Sequence, residues 1–95
     1  MLFVVHALDK PGALPTRKAN YEAHKAFLQT AGDYGVRMVM SGPLVADDGE
    51  RMVGSFLLLE AADRATIERF NQADPFYKAG IWDGVAIMGF LRRVG

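Results

Sequence analysis

Apolar and polar positions change period several times along the chain. Residues 2–8, LFVVHAL, are a short β-branched and aromatic run that reads as a buried strand, and Asp9-Lys10-Pro11-Gly12 ends it with turn residues. From Thr16 to Ala31 the period becomes helical. Asn20, His24, Phe27, Leu28 and Ala31 share one side, while Lys18, Glu22, Lys25 and Gln29 spread over the rest. Thr16 is the expected N-cap of that helix and Gly32 its expected stop. Residues 36–46 and 51–60 read as strands that pair antiparallel through Asp47-Asp48-Gly49-Glu50, where Asp-Gly is a hairpin signal. The first of them, VRMVMSGPLVA, breaks at Ser41-Gly42-Pro43. A bend or bulge is expected there, because Gly admits unusual torsions and Pro removes a ladder donor. Asp63 is placed to cap a second helix running to Asn71 with Ile67 and Phe70 inward, and Asp74-Pro75 to open a further helical turn. Trp82 to Arg92 closes the pattern as a strand.

The order β-α-β-β-α-β predicts an α+β, ferredoxin-like domain over residues 1–95, with a four-stranded antiparallel sheet and two helices on one face. In the last strand Val85, Ile87 and Leu91 alternate with Ala86, Met88 and Phe90, so both of its faces are apolar. The solvated face of an antiparallel sheet carries polar residues, so this pattern demands cover on both sides. The helices supply one cover, and a second copy of the sheet would supply the other. A chain of 95 residues buries only about 60–65% of its unfolded surface, and pairing adds to that. A homodimer, or a higher oligomer of dimers, is the expected assembly.

Charge and composition narrow the partners. Eleven basic and eleven acidic side chains balance to zero, and the only adjacent basic pairs are Arg17-Lys18 and Arg92-Arg93. Nucleic-acid binding needs clustered cations, so no nucleic-acid partner is expected. No apolar stretch approaches a bilayer span, so no membrane partner is expected either. MLFVV has no basic region ahead of it and reads as a first strand rather than a secretion signal. The chain has no cysteine, which excludes a disulfide framework, leaves a metal site without its softer ligands and fits a cytoplasmic setting. No phosphate loop or dinucleotide fingerprint occurs, and no cofactor is expected.

His24 is the first candidate for chemistry, because its imidazole can act as acid or base near neutral pH and lies on the inward stripe. The plain alternative is a packed ring with one nitrogen satisfied by a backbone carbonyl. Asp74 is a cap ahead of Pro75, and a rigidly held carboxylate beside an imidazole also fixes its tautomer. Capping and pairing are compatible. His6 has the parity of Leu2 and Val4 and reads as a residue in or beside the core. His6 and His24, eighteen residues apart with no cysteine and no regularly spaced acidic ligands, do not resemble a structural metal site, and an accidental site of His6, His24 and Asp74 is the remaining alternative. Tyr21 and Tyr77 each offer a phenolic hydroxyl, although aromatic residues at such places usually pack. Ser55, after Gly54, can orient a ligand but has no nucleophile elbow around it. Arg17 is placed either to bind an acidic group or to sit solvated.

These residues, in order, carry a resemblance. Arg17 and the His24 helix, Ser41-Gly42-Pro43-Leu44, Gly54-Ser55, and Ala73-Asp74-Pro75-Phe76 with Ala79-Gly80 resemble the YciI-like (YCII-related) family over nearly the whole length. The resemblance implies a ferredoxin-like fold that forms dimeric α+β barrels, and an active site of His24 and Asp74. It also implies that the Ser41-Gly42-Pro43 segment and Ser55 line the same cavity, and Arg17 and Tyr77, from their own chemistry, are the further expected ligand contacts. One characterised relative eliminates chloride from a chlorinated hydroxyquinol, which points to cofactor-independent lyase or isomerase chemistry on a small acidic or aromatic ring. The alternatives are a binding or sensing module using the same cavity without turnover, and a structural oligomer in which His24 and Asp74 are a packed ring and a cap.

Overall fold

The computed structural model describes residues 1–95. The strands are β1 (Leu2–Asp9), β2 (Arg37–Val45), β3 (Met52–Glu60) and β4 (Trp82–Phe90), and the helices are α1 (Leu14–Leu28), α2 (Arg64–Ala73) and the single turn α3 (Pro75–Lys78). The sheet is antiparallel in the order β2-β3-β1-β4. This is the ferredoxin-like α+β arrangement that the hydrophobic pattern predicts.

One face of the sheet is covered by helices. Phe3, Val5, Leu57, Leu59 and Ile87 point from the strands into a core with Ile67 and Phe70 of α2, and Phe27 and Leu28 of α1 pack against it. A smaller cluster of Ala7, Phe76, Ile81 and Trp82 lies beside it. The other face is open. Met40, Leu58, Val4 and Met88 fall in one cross-strand row, with Met40 55% and Met88 64% exposed. His6 stands on this open face, opposite Phe56 and Ala86, and is exposed rather than packed into the core. It therefore lies on the far side of the sheet from the helices, and no group of three His, Cys, Asp or Glu side chains comes together.

Several element ends differ from the sequence pattern. Helix α1 starts at Leu14, two residues before Thr16, and Ala13 at its N-cap makes no side-chain capping bond. Pro15 in the first turn accounts for the earlier start, since its fixed φ already suits a helix. The helix ends at Leu28, and a 3-10 turn over Ala31–Tyr34 follows. Gly35, at φ 76°, makes the left-handed stop that had been expected of Gly32. Asp63 caps α2 as expected, accepting the Thr66 backbone N–H at 2.9 Å. Strand β4 ends at Phe90, short of Leu91.

The expected break at Ser41-Gly42-Pro43 is not where β2 is irregular. Those three residues stay in register with Leu57, Phe56 and Ser55, and the shifts fall at Met38/Met40 and Leu44/Val45. Proline is tolerated because β2 is an edge strand, where a missing N–H need not break a ladder bond. Glycine is required instead at position 54 of β3, where a Cβ would run into the Ala7 carbonyl of the adjacent strand. That close approach sets Ser55 and the Gly54 carbonyl against the inner end of α1.

Candidate active site

Helix α1 lies over β2 and β3, and between them is a cavity of about 170 Å³. Arg17, Tyr21, His24 and Leu28 follow one another at helical spacing along its roof. Ser41, Gly42 and Pro43 form the β2 wall, Ser55 stands in the floor, and Phe76 closes the end. The structure thus brings together Arg17, His24, Ser41, Gly42, Pro43 and Ser55.

Asp74 lies behind this surface. It is 1% exposed, and both carboxylate oxygens meet His24 Nδ1, at 2.8 and 2.9 Å. The same carboxylate accepts the Phe76 backbone N–H at 2.9 Å, so capping and pairing coexist in one group. An ionised carboxylate only accepts, which makes Nδ1 the donor and, in the neutral imidazole, leaves Nε2 as the lone-pair nitrogen. Nε2 has no partner within the protein. No fully buried polar side-chain atom lacks a partner, so Nε2 is reached from the cavity that His24 lines. The imidazole is also stacked on Phe76, with ring centroids 3.9 Å apart and planes 3° from parallel.

Arg17 is not a solvated surface residue. It is 2% exposed, its Nε and Nη2 clamp Asp9 at 2.8 and 3.0 Å, and Nη2 also reaches the Gly54 carbonyl and Ser55 Oγ, each at 2.7 Å. Its guanidinium carbon is 4.8 Å from the centroid of Phe76, the ring on which His24 stacks. Nη1 makes no bond within the protein and, by the same reasoning as for Nε2, faces the cavity. Ser55 is 3% exposed and accepts from Arg17 and, at 3.2 Å, from the Trp82 indole N–H. With the imidazole neutral, the chemical layout is one lone-pair nitrogen, His24 Nε2, sharing a cavity with a permanently charged N–H group and a hydroxyl.

Tyr77 does not join this site. In the one-turn helix α3 the buried direction belongs to Phe76, and Tyr77, the next residue round, is 44% exposed beside a separate cleft between α2 and β4. Asp9, Phe76 and Trp82 join the site without being among the candidates that the sequence pattern marks. A helical-wheel signal for Arg17 did exist, because seven residues separate it from His24 and put both on one face. No local signal marks Trp82, whose role depends on the pairing of β4 beside β1.

No helix of this chain is long and apolar enough to cross a membrane. A family model described as the YCII-related domain matches residues 1–91. Protein YciI of Escherichia coli is 33% identical over 102 residues, which cover 97% of this chain and 98% of that protein. Protein YciI of Shigella flexneri matches to the same extent. Among solved structures, 5-chloro-2-hydroxyhydroquinone dehydrochlorinase from Burkholderia phenoliruptrix, in complex with 2,5-dihydroxybenzoquinone, is 32% identical with a TM-score of 0.85, covering 98% of this chain and 96% of that one. A NIPSNAP domain protein from Burkholderia xenovorans, at 18% identity and a TM-score of 0.53, shares the fold alone.

Proposed function

This chain belongs to the YCII-related domain family, and from that membership we propose that it is a small cofactor-independent enzyme of lyase or isomerase type, acting on a small acidic or aromatic ring compound. The observation that carries this reading is the His24 ring, with Nδ1 fixed by Asp74 and Nε2 left to the cavity. Nε2 takes a proton from a ring hydroxyl or an activated C–H, and Asp74 stabilises the imidazolium that forms. The electron pair left behind spreads onto a ring oxygen held by Arg17 Nη1 and the Ser55 hydroxyl. In an elimination the leaving group then departs with its own electron pair. In an isomerisation Nε2 returns the proton to another atom. General acid–base catalysis of this kind contributes about a hundredfold to ten-thousandfold in rate, and donors aimed at the developing oxyanion add to it.

Support for a ring substrate comes from the dehydrochlorinase, whose complex holds 2,5-dihydroxybenzoquinone. The test is turnover of chlorinated hydroxyhydroquinones and small lactones by the wild type and by His24→Ala. Turnover that falls at least about a hundredfold in the variant supports the reading. A ring compound that binds and leaves unchanged, with no turnover of the panel, would instead make the protein a binding or sensing module.

A homodimer formed through the open sheet face belongs to the same reading. A second copy of the face carrying Val4, Met40, Leu58 and Met88 is its apolar complement, and covering it removes Met40 and Met88 above all from water. Sedimentation equilibrium at micromolar concentration should give twice 10.4 kDa. A persistent monomer would sink the assembly but not the chemistry.

A further inference from the structure

We propose that Trp82 is a specificity-determining residue, because together with Arg17 it turns the Ser55 hydroxyl into an obligate hydrogen-bond donor toward the cavity. The inference rests on the reading that the ligand occupies the His24 cavity.

A serine hydroxyl normally works in both directions, with one O–H to give and two lone pairs to receive. At Ser55 both receiving positions are filled, by Arg17 Nη2 at 2.7 Å and by Trp82 Nε1 at 3.2 Å. Neither bond can reverse, since a guanidinium and an indole N–H have no lone pair to offer. The O–H finds no acceptor within the protein, and Ser55 lines the cavity. The hydrogen is therefore presented to the ligand, next to the Nη1 donors of Arg17.

Specificity follows from this polarity. An acceptor oxygen on the ligand, whether carbonyl, phenolate or enolate, meets matched donors. An amino group at the same place meets an O–H with no lone pair to spare, and a buried donor goes unpaired. Trp82 is 6% exposed and stands edge-on to Phe76, with centroids 6.0 Å apart. Replacing the indole by a phenyl ring removes the N–H and keeps an aromatic body against that neighbour.

The experiment measures affinities of the wild type, Trp82→Phe and Ser55→Ala for two planar probes, 2,5-dihydroxybenzoquinone and 2,5-diaminobenzoquinone, with thermal unfolding to verify that each variant is folded. The wild type should prefer the hydroxy ring by about tenfold or more, one neutral hydrogen bond's worth of discrimination. Trp82→Phe should reduce that preference several-fold, because a freed lone pair on Ser55 can now accept from the amino group. Ser55→Ala should reduce it with Trp82 in place, and it carries the test alone if Trp82→Phe does not fold. Binding without preference in the wild type, or a preference that a folded Trp82→Phe leaves intact, overturns the inference while the cavity reading stands. Failure of the wild type to bind either ring overturns the cavity reading and this inference with it.

Discussion

Two pairs of a nitrogen base and a carboxylate lie side by side under α1, and they do different work. Arg17–Asp9 and His24–Asp74 both take their nitrogen partner from the same helix face, and both of those side chains rest against Phe76. In the first pair the charge is permanent and most of the donors are committed, to Asp9, Gly54 and Ser55. Arg17 ties the end of β1 to β3 beneath α1 and leaves only Nη1 to the cavity. In the second pair the charge is conditional, and the carboxylate holds a tautomer while it caps α3. A permanent pair builds a wall, whereas a titratable pair is where a proton can move. The acid–base reading proposed above draws on both, because an anion created at the second would meet the donors fixed by the first.

The largest expected effect comes from breaking the permanent pair. Arg17→Ala leaves the Asp9 carboxylate, whose side chain is 7% exposed, without its counter-charge, along with the Gly54 carbonyl. Removal of one partner of a buried pair costs about 3–5 kcal/mol, which for a domain of this size should show as a large drop in the midpoint of chemical denaturation. Adding Asp9→Asn to Arg17→Ala should recover part of the loss, because the stranded charge is then gone. A double variant no better than Arg17→Ala would mean that the guanidinium acts by packing rather than by charge.

Breaking the titratable pair should cost less and reveal more. Asp74→Ala strands His24 Nδ1 and the Phe76 N–H together, a loss of about 2–4 kcal/mol from a cap and a charged hydrogen bond. Asp74→Asn separates the two roles. Its side-chain oxygen can still cap Phe76, while its amide must donate to Nδ1 and force the proton to Nε2. Stability should then change by only about 1 kcal/mol or less, and the nitrogen chemical shifts of His24 should switch from the Nδ1–H to the Nε2–H pattern. Turnover should fall at least about a hundredfold, since the nitrogen facing the cavity is no longer a base. An unchanged tautomer with full activity would contradict the role given to Asp74.

The same contrast explains what the chain disclosed before it was folded. His24 and Asp74 were legible because each obeys a local rule, an inward helical position for one and a cap before proline for the other. Their convergence was visible only through the family resemblance, because fifty residues separate them and no spacing rule spans that gap. Arg17 left two readings open, and its partner Asp9 looked like an ordinary turn residue at the end of a strand. Pairing across the sheet decided the matter, by placing Gly54 and Ser55 beneath the helix. Fold class survived errors of two or three residues at both ends of α1, because alternation in the strands and the order of elements do not depend on where a helix frays. Tyr77 departs from expectation for the opposite reason, since a one-residue step in a helical turn swings the side chain by about 100°, enough to take it from the buried direction of Phe76 into solvent.

A third pair, on the surface, supplies the smallest effect and a control for the other two. Arg37 and Glu60 meet at 2.9 Å with side chains 64% and 45% exposed. The hydrogen bond from Arg37, and then its charge, hold the Glu60 carboxyl below the usual glutamate value. A depressed carboxylate contributes stability that is fully present above its unfolded pKa, about 4.3 for glutamate, and is lost as pH falls through the lower folded value. Asp63 is likewise held low, chiefly by the Thr66 hydroxyl and then its backbone N–H, and Asp48 by the backbone N–H groups of Arg51 and Glu50. All three therefore titrate in the same acidic window, so the useful quantity is the difference between wild type and Glu60→Gln measured from neutral pH downward. That difference should be small at neutral pH, should shrink further in high salt because exposed charges are screened, and should vanish in acid. A neutral-pH difference as large as that of Arg17→Ala would show that exposure does not separate these pairs, and the division of labour between a wall and a proton site would lose its physical basis.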